Sequence, residues 1–479
     1  MNDAPGAPGR PAGRVDRVTD QRIEGWLDAA VLGGGRVTLQ ILRDDEPCGT
    51  QVIAPATARA EPWGRVVPFA LPLPGPAEPG SAYSVRVLNG RPLAGSARRP
   101  VAPSRPARAL VMIPAGYVYE HDKVRLYNRI LEGDYGNIGD LMVYESTLKL
   151  LDYVELQTLE IANPTDETIR RANEEFDFAF LRGSNFIHEY MDWERAPEVL
   201  ERLKIPVVAV GVGAQSAERR RISLPPEARR VWHAIADRCA AVGTRGAWSA
   251  EVLADNGVRN VEVVGCPSLF RARDRNLRLR LPPRGGVRRA AFSLRRETGK
   301  GYARDLSSYA ATQKAFMMRL NRECELHVTV HGEAEEKWFA LHDEARIPAA
   351  TEKLRQSGWL DPVNEAAMLD LYRNRSFFYQ TGEEYDHFVR DMDITLGYRV
   401  HGVLPALANG IPSMLVNYDE RSAELARTHR IPMLDEAALR GRGLDLYDPA
   451  RFAEWQAAFP KGYDRMRDHL VRNGIPHRM

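Results

Sequence analysis

The segment ITLGYRVHGVLPALANGIPSMLVNYD, residues 394–419, carries the pattern that decides the fold. It begins with an apolar run, passes through Gly402 into an apolar stretch of helical length, and returns through Gly410 and Pro412 to a second apolar run. Continuous apolar runs that alternate with helices are typical of strands in a parallel sheet covered on both faces. The segment therefore predicts a strand, a helix and a strand of an α/β fold.

The same alternation fills the chain from about residue 105. The first half of this region contains the runs ALVMI, VELQTLEI, FDFAFL, PVVAVGVG and AAVGT, and the second half contains AAFSL, ELHVTV, SFFYQT, ITLGY and SMLVNY. Roughly ten strands divide best into two Rossmann-like domains, predicted at 109–280 and 281–479, the second including closing helices. Parallel sheets bind ligands beyond the carboxyl ends of their strands, so we expect the site in the cleft between the two sheets.

The N-terminal region has a different pattern. Residues 1–12 are rich in proline, glycine and alanine, which predicts a disordered tail. Residues 13–98 contain short β-like runs bounded by glycine, proline or aspartate, namely GRVTLQIL, GTQVIA, RVVPFALPL and YSVRVL. They predict a small all-β, sandwich-like domain. A proline-rich linker is predicted at 99–108.

Composition limits the classes of function. The chain has 479 residues, of which 44% are hydrophobic and 27% charged, as in ordinary globular proteins. A net charge of +2, from 66 basic and 64 acidic residues, argues against a dedicated nucleic-acid binder. The four cysteines show neither metal-ligand spacing nor a disulfide framework. No secretory signal and no apolar run of about 18 residues is found, so we expect a cytoplasmic protein without a transmembrane segment.

A glycine-rich loop precedes a predicted helix in GDYGNIGDLMVYESTL, residues 133–148. Its three glycines, Gly139 among them, let the backbone approach a ligand closely, and a helix start offers unpaired N–H groups and a positive dipole end. Asn137 also tolerates a positive φ. The loop is an anion-site candidate, and Asp140 at its edge is a candidate for proton transfer. A helix N-cap is the competing role for Asp140, and the two roles can coexist.

Polar residues follow three strand ends of the first α/β half. Arg182, Ser184, Asn185 and His188 lie just past the run FDFAFL, and Arg245 lies between the run AAVGT and a helix. A surface salt bridge is the alternative role for a lone arginine. The glycines that end PVVAVGVG either line the site or only turn the chain.

The second half offers Arg399 and His401 after the run ITLGY. On an extended segment these two residues alternate, so both side chains should point to one side. Arginine binds carboxylate and phosphate bidentately, and histidine can titrate near neutral pH. Together with Arg245 and Asp140 they suit a compact ligand that carries several negative charges. No cluster of carboxylates requires a metal.

The order of the motifs GNIGD, GSNF, VVAVGVG, GTRGAWSAEVL and YRVHG…ANGIPSMLVNYD resembles the polysaccharide pyruvyl transferases over residues of about 125–430. The resemblance implies a GT-B-like arrangement of the two Rossmann-like domains. It implies transfer of pyruvate from phosphoenolpyruvate to sugar hydroxyls of a bacterial surface or exopolysaccharide, usually as a ketal. No cofactor is implied, because phosphoenolpyruvate is the donor substrate.

The resemblance also implies roles for individual residues. Asp140 and His401 would be catalytic. Residues from both domains would hold the donor, namely Asn137, Gly139, Arg245, Arg399 and His401. Residues near the first cleft loop would face the acceptor, namely Arg182, Ser184, Asn185 and His188. The chain departs from the family in RGSNF, where a run of glycines is usual, and at Gly246, where an acidic residue is usual.

Two other functions fit the same residues. In a GT-B glycosyltransferase the arginines would clamp the diphosphate of a nucleotide-sugar donor. In a non-catalytic glycan-binding protein the β-domain and the Rossmann pair would bind saccharide. A saccharide or polysaccharide is the expected partner in each case, nucleic acid is not expected, and homo-oligomerisation is left open.

Overall fold

The computed structural model describes residues 12–19, 22–33, 35–54, 59–61, 64–75, 77, 81–90, 92–94, 107–114, 138–296, 306–441 and 443–479. The chain folds into two compact units, Met1–Pro106 and Ala107–Met479. The predicted tail at 1–12 and the predicted linker at 99–108 lie almost wholly outside the described residues.

The N-terminal unit is built from two antiparallel sheets. Its elements are β1 (Gly13–Val18), β2 (Arg22–Asp28), a short helix α1 (Ala29–Leu32), β3 (Val37–Arg43), β4 (Glu46–Ile53), β5 (Arg59–Glu61), β6 (Gly64–Pro72) and β7 (Tyr83–Val87). The strand orders are β1–β2–β6–β5 and β4–β3–β7. Leu27 and Val67 from one sheet share a core with Leu39 and Val85 from the other. These two sheets around one core confirm the predicted all-β domain.

The first α/β sheet is parallel throughout and has the order β13–β12–β11–β10–β8–β9. Its strands are β8 (Arg108–Met112), β9 (Glu155–Leu159), β10 (Phe178–Leu181), β11 (Val207–Val212), β12 (Val242–Thr244) and β13 (Val261–Val263). Its helices are α2 (Ile138–Leu150), α3 (Asp166–Glu175), α4 (Ala196–Arg202), α5 (Pro226–Ala236) and α6 (Ala247–Asp255). A 3₁₀ turn at Pro267–Leu269 follows the last strand.

The second α/β sheet is also parallel, with the order β16–β15–β14–β17–β18–β19. Its strands are β14 (Arg289–Ser293), β15 (Glu325–Thr329), β16 (Ser376–Phe377), β17 (Ile394–Gly397), β18 (Ser413–Val416) and β19 (Met433–Leu434). The helices are α7 (Leu306–Glu323), α8 (Ala334–Ala340), α9 (Ile347–Gln356), α10 (Glu365–Arg375), α11 (Gly382–Val389), α12 (Val400–Ala408), α13 (Glu420–His429), α14 (Glu436–Gly441) and α15 (Ala453–Arg472). Two Rossmann-like domains in a GT-B-like arrangement, preceded by an all-β unit, are therefore the fold, as predicted.

The segment at 394–419 forms the expected strand, helix and strand. All four residues of β17 and all four of β18 are buried. Gly410 ends α12 with a φ of +78°, a conformation that side-chain-bearing residues rarely adopt. One detail of the prediction is wrong. The helix begins at Val400, so His401 lies in its first turn and not on an extended segment.

The last helix returns to the first sheet. In α15, the Nε2 atom of His469 lies 3.3 Å from the carbonyl oxygen of Ala209 in β11. Just beyond it, the Asn473 side chain accepts a hydrogen bond of 2.7 Å from the backbone N–H of Ala240. The closing helix therefore packs against the first Rossmann-like domain, although its sequence follows the second.

Buried polar contacts fix α2 against the second domain. The backbone N–H of Ile138 donates to the carbonyl oxygen of His331 over 2.8 Å. The Arg271 guanidinium bonds the Asp386 carboxylate at 2.8 Å and the Ser146 hydroxyl at 3.0 Å. Because these groups are buried and mutually satisfied, they hold α2 in place at its first residue and in its second half. None of the helices in the described part of the chain combines the length and apolar character that a membrane crossing requires.

Candidate active site

Asp140 lies in the first turn of α2 and faces the end of β10. One of its carboxylate oxygens is 3.2 Å from the Ser184 hydroxyl and 3.4 Å from Nη1 of Arg182. The Arg182 guanidinium is buried and lies over the Phe186 ring, 5.1 Å from its centroid. The Asp140 side chain keeps 21% of its surface exposed, so a ligand can reach it. Gly139 is buried beside it, and Asn137 lies outside the described residues.

Arg245 is a buried cation at the end of β12. Its Nη1 donates to the Asn185 side-chain oxygen over 2.5 Å, and its Nε has no hydrogen-bond partner among the described residues. A Cβ at Gly213 would lie 2.1 Å from that Nε, so the glycine leaves the space that the guanidinium fills. Burial lowers the pKa of Arg245. No carboxylate of the described residues forms an ion pair with it, which argues against a structural salt bridge.

His401 carries a neutral imidazole at neutral pH. Its Nε2 lies 3.8 Å from the sulfur of buried Cys266. Burial holds the pKa of His401 well below its usual value. Three neighbouring guanidiniums lower it further: those of Arg245, Arg421 and Arg182. The expectation that this histidine titrates near neutral pH is therefore wrong, because burial and nearby positive charge both disfavour the imidazolium.

Arg399 has a different set of partners. Its guanidinium forms an ion pair with Glu333, and its Nε donates to the carbonyl oxygen of Leu294 over 3.1 Å. Although burial opposes ionisation of Glu333, the Arg399 charge keeps its pKa below the usual value. The side chains of Arg399 and His401 thus contact different groups. The prediction that both point to one side fails because α12 already begins at Val400.

His188 makes its contacts within its own loop. Its Nδ1 accepts a hydrogen bond of 3.1 Å from the backbone N–H of exposed Tyr190. Burial lowers the pKa of His188. The other residues predicted to face the acceptor, Arg182, Ser184 and Asn185, are each less than 10% exposed. These three support Asp140 and Arg245 and do not form an open surface.

Arg421 was not among the predicted site residues. It lies in the first turn of α13 and donates from Nη2 to the Tyr418 hydroxyl over 2.5 Å. Its charge lowers the pKa of both His401 and Arg245, so it lies near them. The signal in the sequence was its position just after a predicted strand, at the sheet edge where ligands bind. We call the group Arg182, Arg245, Arg421 and His401 the basic cluster.

A sequence model of the family described as polysaccharide pyruvyl transferase matches residues 137–420, more than half of the chain. The chain belongs to the polysaccharide pyruvyl transferase family. It is therefore a transferase of a family that modifies polysaccharides. No curated protein matches the chain in sequence.

Solved structures with loose similarity include UDP-N-acetylglucosamine 2-epimerases and a glycosyltransferase. The UDP-N-acetylglucosamine 2-epimerase of Rickettsia bellii has 11% identity and a TM-score of 0.39, covering 77% of this chain and 96% of that chain. The Neisseria meningitidis epimerase bound to UDP-GlcNAc has 10% identity and a TM-score of 0.38, covering 76% and 100%. The glycosyltransferase SnogD from Streptomyces nogalater has 13% identity and a TM-score of 0.30, covering 77% and 96%. Similarity at this level does not bear on activity.

A carboxylate stands beside Gly246, the position where the pyruvyl transferase pattern usually has an acidic residue. It belongs to Glu424 in α13, which accepts hydrogen bonds from the backbone N–H and the hydroxyl of Ser249 at 2.7 and 2.8 Å. A Cβ at Gly246 would lie 2.3 Å from Cγ of Glu424. Glu424 of the second domain therefore caps α6 of the first domain. Its side chain occupies the space that a side chain at position 246 would need.

We expect Glu424→Ala to lower the free energy of unfolding by about 1–3 kcal/mol, because the buried Ser249 groups lose their acceptor. Adding Gly246→Asp should restore part of the loss. An aspartate at this N-cap position accepts from the same N–H, and the φ of −168° at Gly246 suits any residue. Gly246→Asp alone should destabilise the protein through its contact with Glu424.

Urea denaturation of the three variants measures these effects. Glu251→Ala is the control, since Glu251 forms an exposed ion pair with Arg219 and should contribute less than about 1 kcal/mol. If Glu424→Ala and the double variant with Gly246→Asp lost the same free energy of unfolding, an aspartate at position 246 would not replace the cap that Glu424 provides.

Proposed function

We propose that this pyruvyl transferase family member moves pyruvate from phosphoenolpyruvate to the hydroxyls of a saccharide, as a ketal. The observation that supports this most strongly is the basic cluster, in which the charges of three guanidiniums act on one neutral imidazole. Two of the three also contact carboxylates at 3.4 Å, Arg182 that of Asp140 and Arg421 that of Asp419. Phosphoenolpyruvate carries a phosphate and a carboxylate on a three-carbon skeleton. Several cations at short separation suit such a compact polyanion.

The surroundings of Arg245 favour an anionic ligand in particular. A buried charge without an ion pair is costly. Among the described residues the guanidinium of Arg245 hydrogen-bonds only the neutral Asn185 side chain, and the carboxylates of Glu424 and Asp140 act on its charge without pairing with it. A bound phosphate or carboxylate would supply both the missing charge and an acceptor for Nε. We therefore assign Arg245 to the donor.

The reaction needs a balanced set of proton transfers. The methylene carbon of the donor takes up one proton, a sugar hydroxyl attacks the central carbon, the carbon–oxygen bond to phosphate breaks, and a second hydroxyl closes the ketal. Of the two hydroxyl protons, one is balanced by the new methyl group and the other leaves with phosphate. The guanidiniums stabilise the anionic groups while positive character develops at the central carbon.

Asp140 and His401 are the groups that we propose to move these protons. A bound anion would offset the positive charges that lower the pKa of His401, so donor binding itself would make the imidazole a better proton acceptor. Asp140 contacts Ser184 and Arg182, and Arg182 belongs to the basic cluster. Arg399, already paired with Glu333, is proposed to position the start of α12.

Calorimetric titration with phosphoenolpyruvate tests the donor. We expect saturable binding that inorganic phosphate weakens by competition. The same titration with UDP-N-acetylglucosamine should show no binding at the basic cluster. Binding of the nucleotide sugar, with none of phosphoenolpyruvate, would contradict the proposal and favour a glycosyltransferase.

A further inference from the structure

A cavity of about 580 Å³ lies between the two Rossmann-like domains. Ala217 and Arg219 line it from the loop after β11, and Thr312 lines it from α7. Tyr418 and Glu420 line it from the start of α13. We call it the interdomain cavity. Its volume is within the range of small-molecule sites, about 300–1,000 Å³.

Three tyrosines form one wall of the interdomain cavity. The ring centroids of Tyr309, Tyr398 and Tyr418 are 5.1 to 5.7 Å apart. Hydrogen bonds hold two of the rings, since the Tyr309 hydroxyl donates to the carbonyl oxygen of Arg295 over 2.9 Å and the Tyr418 hydroxyl accepts from Arg421. The wall is therefore preformed. Rings with an apolar face and a polar tip suit an amphipathic ligand such as a sugar.

The charges of the lining do not suit an anion. Its carboxylates belong to Glu218, Asp419 and Glu420, and its guanidiniums to Arg219 and Arg427. Both guanidiniums are already paired, Arg219 with Glu251 and Arg427 with Glu420. A diphosphate would meet more negative than positive charge here. A neutral ligand with many hydroxyls would instead find acceptors in the carboxylates and donors in the guanidiniums.

The interdomain cavity adjoins the basic cluster. The Tyr418 hydroxyl, at its wall, accepts the hydrogen bond from Arg421, which belongs to the basic cluster. A ligand in the cavity would thus lie next to an anion held by the guanidiniums. Of the four side chains first predicted to face the acceptor, Arg182, Ser184 and Asn185 are buried, and half-buried His188 bonds within its own loop.

We propose that the interdomain cavity binds the acceptor sugar whose hydroxyls receive the pyruvyl group, an inference that rests on the proposed function. The anionic donor would then bind at the cationic basic cluster, and the neutral acceptor would bind in the neighbouring cavity, whose lining has more carboxylates than guanidiniums. This separation disfavours binding of the acceptor at the donor site.

Two variants that fill the interdomain cavity from opposite walls test this. Ala217→Trp acts from the first domain and Asn417→Trp from the second, and neither replaces a buried side chain. Ala254→Trp, on an exposed position of α6, is the matched control. The probes are methyl glycosides of glucose, galactose, N-acetylglucosamine and N-acetylmannosamine, observed without donor by saturation-transfer NMR. Circular dichroism identifies variants that remain folded.

We expect at least one glycoside to bind the natural protein and Ala254→Trp, and to bind the two cavity variants about tenfold or more weakly. Affinity for phosphoenolpyruvate should stay within about twofold in all folded variants, since the basic cluster is unchanged. Three results would each overturn the proposal. They are undiminished glycoside binding by both cavity variants, no binding of any glycoside by the natural protein, and displacement of the glycoside by UDP. Failure of phosphoenolpyruvate to bind the natural protein would instead refute the proposed donor.

Discussion

Replacing Arg245 with lysine is expected to lower kcat/KM for phosphoenolpyruvate by about 10- to 100-fold, the scale of one charge-assisted hydrogen bond. Lysine keeps the positive charge but loses the planar fork, which bonds Asn185 through Nη1 and leaves Nε for a ligand. Initial rates of phosphate release at varied donor concentration measure the effect. The variant should raise the KM for the donor more than the KM for the acceptor.

Arg229→Lys is the control for Arg245→Lys. Arg229 is exposed on α5 and does not line the interdomain cavity, so this exchange should leave the kinetics unchanged. Equal rates for the natural protein and folded Arg245→Lys would remove Arg245 from the donor site.

His401→Gln is expected to lower kcat by about 10²- to 10⁴-fold, the range for loss of a general acid or base, while the donor affinity changes little. In the free enzyme, burial and then the charges of Arg245 and its neighbours lower the pKa of His401. The neutral imidazole therefore persists below pH 6.5. The kcat/KM of the natural protein should stay level as the pH falls through 6.5 and decline only at a lower pH, where His401 becomes protonated.

The pH profile of His401→Gln completes this test. It should lack the acidic limb that belongs to His401. An acidic limb centred near pH 6.5 in the natural protein would show that burial and the neighbouring charges do not lower the pKa of His401. An identical limb in the variant would show that the limb does not belong to His401.

The sequence predicted the fold well because the pattern of a parallel sheet is local. Each central strand is a continuous apolar run, and such a run can be recognised without knowing its neighbours. The edge strands β13 and β19 were missed because Glu262 interrupts the apolar positions of β13 and Pro432 directly precedes the two residues of β19. In the N-terminal unit, β1 and β2 were missed because charged residues interrupt their apolar positions.

The site was less predictable because its decisive contacts join distant parts of the chain. Glu333 neutralises Arg399 across 66 residues, and no spacing motif connects them. Glu424 caps Ser249 across 175 residues, and a missing acidic residue at 246 was the only trace of it. Motif order still proposed Arg245, His401 and Asp140 as candidates, whereas Arg421 follows the predicted strand SMLVNY but lies outside the motifs.

The central claim is that phosphoenolpyruvate is the donor and a sugar diol the acceptor. The most direct measurement is incubation of the full chain with phosphoenolpyruvate and the glycoside that binds best, with inorganic phosphate and the mass of the glycoside followed together. The account predicts one phosphate released for each glycoside that gains a pyruvyl ketal, and no UDP released when UDP-N-acetylglucosamine replaces phosphoenolpyruvate. Release of UDP with transfer of its sugar to the glycoside, and no phosphate from phosphoenolpyruvate, would contradict it.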